Sequence, residues 1–138
     1  MGRLIHATCV SLSGHGLLIQ GKSGSGKSNL ALQLIALGCD LVADDQTLIE
    51  IQNEQLSASA PAPIKGQIEA RGVGILACQT VDRTAVKAIV DLDQTEDDRL
   101  PPLRMTQLDG CDLALFHKSV HCHFPSALFL YLSGERVT

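Results

Sequence analysis

Apolar residues in this chain come mostly in short blocks, the lengths of strands rather than helices. Residues 4–12 alternate apolar and polar positions as a half-buried strand does. Ser13-Gly14-His15-Gly16 supplies a turn, and Leu17-Leu18-Ile19-Gln20 reads as a short buried strand. The period then changes: residues 29–37 carry apolar side chains at helical spacing, and Gly38 is a natural stop. Residues 39–43 return to a strand that ends abruptly at Asp44-Asp45. Residues 47–52 predict another strand, turned at Asn53-Glu54 into a hairpin with residues 55–58. Residues 59–63 hold two prolines and must be a loop. Residues 68–76 set two charges and two glycines in an apolar frame, which a plain core strand does not need. Residues 85–92 read as a buried strand, and residues 93–102 as a polar surface loop. Residues 113–116 and 119–123 predict a final strand pair. Residues 125–132 fit either a short helix or one more strand, and periodicity leaves both open. The pattern predicts one α/β domain over residues 1–138, a mixed, strand-rich sheet with few helices and no internal repeat.

Composition narrows the partners. Hydrophobic residues make up 45% of the chain, enough for one core, while aromatics are 3% and tryptophan is absent, which removes the usual stacking platforms for bases. A net charge of −4 with no lysine-arginine stripe argues against nucleic acid as a partner. No apolar run is long enough to span a bilayer, and Met1 to His6 lacks a signal peptide's apolar centre. The five cysteines are scattered, with no C-x-x-C pair, as in proteins of a reducing cytoplasm. The expectation is a cytoplasmic protein without membrane contact.

Candidate chemistry begins between the second strand and the first helix. Gly21, Lys22, Ser23, Gly24, Ser25, Gly26, Lys27 and Ser28 spell G-x-x-x-x-G-K-S, flanked as a phosphate-binding loop requires. The glycines let main-chain N–H groups converge on an anion at a helix N-terminus. Lys27 would reach the outer phosphates, and the Ser28 hydroxyl would ligate magnesium. Two acidic pairs end strands nearby, Asp44-Asp45 and Asp91/Asp93. The first follows the loop helix, so Asp44 is read as a metal-side carboxylate and Asp45 as a general base. Asp91 and Asp93 read as the point where a strand meets solvent. His117, His121, Cys122 and His123 invite a zinc reading, but no fourth-ligand pattern closes it.

Three segments in order, GKSGSGKS, LVADD and EARGVGI, resemble the catalytic domain of HPr kinase/phosphorylase. That family carries G-x-S-G-x-G-K-S, then L-[IV]-A-D-D, then a signature close to E-[IL]-R-G-x-G-[IL]. The resemblance covers roughly residues 5–100 and implies a nucleotide-binding core like that of HPr kinase and PEP carboxykinase. It further implies transfer of phosphate from ATP or pyrophosphate, with magnesium, to a serine of the phosphocarrier HPr, the reverse phosphorolysis, and a homohexamer. By the same resemblance Asp45 is the proton acceptor, His6 is the histidine paired with it, and Glu69 is a magnesium ligand. Arg99 corresponds to an arginine that stabilises the moving phosphoryl group. Arg71, inside the signature, could pair with Glu69 or with a phosphate.

The chain departs from the longer family members in starting at the first catalytic strand, so it resembles the short form without an N-terminal domain. Where the family has a proline-glycine-arginine-asparagine loop tied to dephosphorylation, this chain has His121-Cys122-His123-Phe124-Pro125-Ser126. Without the glycine and arginine, the resemblance supports kinase chemistry more than phosphorolysis. Two other readings of the same cradle stay open: a small-molecule kinase, and a nucleotide-sensing module that transfers nothing.

Overall fold

A computed structural model describes residues 2–62, 66–134 and 136–137. Pro63, at the end of the proline loop, and Lys65, a cation beside the signature segment, lie outside them. Among the described residues the chain forms ten strands and two helices, in the order β1 (Arg3–Leu12), β2 (His15–Gln20), α1 (Lys27–Leu37), β3 (Asp40–Ala43), β4 (Gln46–Gln52), β5 (Gln55–Ser59), β6 (Gln67–Ala70), β7 (Gly74–Ala77), β8 (Arg83–Thr95), β9 (Arg104–Leu108), β10 (Cys111–Lys118) and α2 (Phe124–Ser133). No helix among them is long and apolar enough to cross a membrane.

Eight strands form one sheet in the order β2-β1-β4-β5-β8-β10-β9, with β3 added beside β1. β2 also pairs with β8, so β2-β1-β4-β5-β8 close into a ring. Three of its hairpins turn on two residues with positive φ: Ser13-Gly14, Asn53-Glu54 and Asp109-Gly110. That is the type I′ geometry whose twist matches the strands it joins.

The continuous apolar stretches Leu17–Ile19 of β2 and Ala88–Val90 of β8 are explained by burial on both faces. Leu17, Ile19, Ala88 and Val90 pack toward the helices with Leu30, Leu34, Leu128 and Leu132, while Leu18 and Ile89 join Cys9, Val42, Ile49 and Leu56 in a second cluster. Cys9 and Cys39 are buried free thiols serving as apolar filler; desolvation pushes Cys39 up to about 11 and Cys9 higher still.

One expectation needs correction, and the open alternative for residues 125–132 closes on helix. Residues 119–123 are not a strand; β10 lies between β8 and the preceding β9, with which it forms the hairpin, and the polar loop is shorter because β8 runs on to Thr95. Residues 125–132 are helical. Pro125 sits at the first turn, where a missing N–H costs nothing, and Leu128 and Leu132 fall on the same buried face. The signature segment is a separate two-stranded hairpin, β6–β7, turned at Arg71-Gly72-Val73.

The C-terminal end of α2 is tied to β8. Lys87 Nζ donates to the Tyr131 carbonyl at 2.9 Å and the Gly134 carbonyl at 2.7 Å, and lies 4.5 Å from the centre of the Tyr131 ring. A cation there satisfies orphan carbonyls and complements the helix dipole. Lys87→Met is expected to lower stability by about 1–2 kcal/mol in urea unfolding; no change would show that water replaces the ammonium at no cost.

Candidate active site

Strand direction assembles the site. β3 and β8 run parallel to β2, and β1 runs antiparallel to it, so the ends of β2 and β3 meet the middle of β1, with Asp91 of β8 beside the end of β2. The glycine loop leaves from the end of β2, the position where sheets of this kind bind ligands.

The loop is closely packed and largely self-supported. A Cβ on Gly21 would lie 2.4 Å from the Ser25 Oγ and 3.2 Å from the Leu92 Cβ, so only glycine fits there. The buried Ser25 hydroxyl has no partner among the described residues. Lys27 is 7% exposed, and its Nζ donates to the Gly21 carbonyl at 2.8 Å and the Lys22 carbonyl at 3.2 Å. An ammonium has three donors, so one remains for a ligand. No side chain caps α1, and its first turn holds no acid. Its leading amides and positive dipole end are thus left for an anion.

The two acids have different partners. Asp44 Oδ1 accepts from Ser28 Oγ at 2.9 Å and from Thr8 Oγ1 at 3.0 Å. Asp45 turns the other way, its Oδ1 lying 3.0 Å from His6 Nε2, with its side chain 73% exposed. His6, Ser23, Gly24, Gly26, Lys27, Ser28, Asn29, Asp45 and Arg71 line one cleft of about 220 Å³.

Two expected residues stand elsewhere. Glu69, exposed on β6, is not among the cleft's lining residues. Arg99 lines a separate groove of about 440 Å³ with Glu96, Asp97, Asp98 and His117. The loop carrying it is anchored by Arg104, which donates to both Glu96 oxygens at 3.0 Å; that pairing holds the Glu96 carboxyl below its usual range. Arg71 is the guanidinium that the structure brings to the glycine loop. His121 and His123 stack at 5.2 Å between centroids in the turn before α2, not on a strand face. Among the described residues no group of three His, Cys, Asp or Glu could hold a metal.

Two contributors were missed from sequence. Thr8 is a fully buried strand residue with no motif to flag it. Asp93 does not merely meet solvent: its carboxylate accepts the Lys22 N–H at 3.0 Å, and the Asp93 N–H donates to Asp91 Oδ1 at 2.9 Å. The register explains this, since Gln20 pairs with Asp91 and the next residues of both strands emerge side by side.

Residues 2–101 match the family model described as the HPr serine kinase C-terminal domain. The chain belongs to that family. Curated relatives named HPr kinase/phosphorylase include one from Aromatoleum aromaticum, 38% identical over 118 residues, covering 75% of this chain and 37% of the relative. Another, from Caldanaerobacter subterraneus subsp. tengcongensis, is 37% identical over 103 residues, covering 69% and 34%. The chain therefore spans about a third of the length of these relatives. Among solved structures, the Hpr(Ser) kinase/phosphatase from Coxiella burnetii superimposes with a TM-score of 0.76 at 27% identity, covering 95% of this chain and 88% of that one. The strand-rich mixed sheet with two helices is thus the fold of an HPr kinase structure.

Proposed function

We propose that this chain is a kinase domain that transfers a phosphoryl group from ATP or pyrophosphate to a serine of an HPr-like phosphocarrier. The observation carrying this reading is the convergence of Lys27, Ser28, Asp44 and the His6–Asp45 pair on the glycine loop. Family membership and the names of the relatives support it.

The residues fit magnesium. Ser28 and Asp44 offer hard oxygen donors beside the loop, in a set too small for a protein-only cage. Magnesium is commonly held in that way, through one or two carboxylates, phosphates and waters. When bound, the ion neutralises phosphate charge. Glu69 does not line the cleft that holds Ser28, so its place as a ligand rests on the resemblance alone.

The chain's own groups do the rest. The uncapped amides of α1 and the third Lys27 donor grip the donor's outer phosphates. Asp45 takes the proton from the incoming serine hydroxyl, and His6 fixes the direction of its carboxylate. The exposure of Asp45 lets a side chain on another protein reach it. Arg71, already in the cleft, is the nearer candidate for steadying the moving phosphoryl group; Arg99 would need its anchored loop to shift. The absence of glycine and arginine from residues 121–126 argues for kinase over phosphorolysis. The homohexamer that the resemblance implies belongs to the same proposal and is read by light scattering.

The test is incubation of the chain with HPr and ATP labelled at the outer phosphate, followed by mapping of the label. Label on an HPr serine is the expected result. Bound nucleotide without transfer, with an HPr that another kinase can phosphorylate, would replace this reading with a sensor.

A further inference from the structure

The two aspartates occupy a gap in the sheet. β3 leaves β1 at the Cys9–Ala43 pair, and β4 rejoins it at the His6–Gln46 pair. Ala7 and Thr8 therefore face Asp44 and Asp45 with no ladder between them. The Ala7 carbonyl is satisfied by Thr47 Oγ1 at 2.9 Å. Across the gap Asp45 adopts φ +68, and the Gln46 N–H donates to the Asp44 carbonyl at 2.7 Å. An i to i+2 bond about a residue with positive φ is the rarer, strained form of γ-turn. Strain of this kind persists only where the surroundings over-determine it.

One hydroxyl holds both sides of that turn. Thr8 is 0% exposed; its Oγ1 accepts the Asp45 N–H at 3.3 Å and donates to Asp44 Oδ1 at 3.0 Å. The same Asp44 oxygen takes the Ser28 hydroxyl, and Asp45 reaches His6. Branching at Cβ restricts the rotamer, so the hydroxyl direction is set by the strand.

Resting on the kinase reading, we infer that Thr8 is a positioning residue, coupling the metal-side carboxylate Asp44 to the strained turn that aims the base Asp45. It touches neither donor nor acceptor. Its effect runs through the relative placement of two carboxylates, one on the metal side of the phosphate and one on the incoming hydroxyl. The β1 hydroxyl thus makes one unit of the Ser28–Asp44 and His6–Asp45 pairs.

Thr8→Val keeps shape and burial but removes the hydroxyl; Thr8→Ser restores it. Thr8→Val is expected to lower kcat by about 10–100-fold and to raise the magnesium concentration needed for half-maximal rate, with the ATP KM nearly unchanged. Hydrogen exchange at the Asp45 and Gln46 amides should quicken in Thr8→Val, and Thr8→Ser should recover both rate and protection. A Thr8→Val rate within about twofold of wild type overturns the inference. So does a rate loss with unchanged exchange, or a Thr8→Ser variant as impaired as Thr8→Val. A wild-type chain that transfers nothing would instead sink the kinase reading, while the exchange comparison would still judge Thr8.

Discussion

Asp45→Asn is expected to lower serine phosphorylation by about 10²–10⁴-fold, the usual contribution of a positioned base, while ATP binding stays near wild type. Asparagine keeps the size of the side chain and its tolerance of φ +68 but cannot accept the serine proton. Because Asp45 sits in a strained turn beside a second carboxylate, the active arrangement costs stability. Asp45→Gly, which relieves the backbone cost, should also lose transfer, yet stabilise the fold by about 1 kcal/mol. Single-turnover labelling and urea unfolding measure the two effects. Near-normal transfer in Asp45→Asn would remove Asp45 as the base, and a less stable Asp45→Gly would show that the His6 contact more than offsets the turn's cost.

Lys27→Met is expected to weaken binding of ATP and of pyrophosphate alike by about 10–100-fold, as loss of one charge-assisted contact predicts. Methionine preserves most of the buried stem volume and removes only the ammonium. An equal loss for both ligands is expected because, in the proposed role, the free Lys27 donor would meet phosphate and not nucleoside. Lys27→Arg should fare no better, since the site is 7% exposed and both near carbonyls are matched to a point charge. Calorimetric titration with each ligand in magnesium decides it. Unchanged pyrophosphate affinity in Lys27→Met would show that the loop is not the phosphate cradle.

Local signals in the chain were legible where the chemistry was local. The glycine loop, its helix, the Asp44-Asp45 strand end and the Asn53-Glu54 hairpin all stand where the pattern places them. The β9–β10 hairpin was missed although Asp109-Gly110 is a strong turn signal, because Arg104 to Leu108 is half exposed and follows two prolines. Ser119 to His123 resembled a strand only by neighbourhood; it pairs with no strand and forms the turn into α2.

Contacts between distant segments escaped the sequence for a simple reason: no periodicity encodes which strand lies beside which. The chain by itself determined a strand-rich α/β domain, a G-x-x-x-x-G-K-S loop between a strand and a helix, and two acids at the end of the next strand. Only the tertiary structure decided that Thr8 would bridge those acids, that Asp93 would hold the Lys22 amide, and that Arg71 rather than Arg99 would line the cleft. Short-range steric and hydrogen-bonding preferences write motifs into contiguous residues, whereas the register of β1 against β3 and β4, and of β2 against β8, is set by burial of whole faces at once.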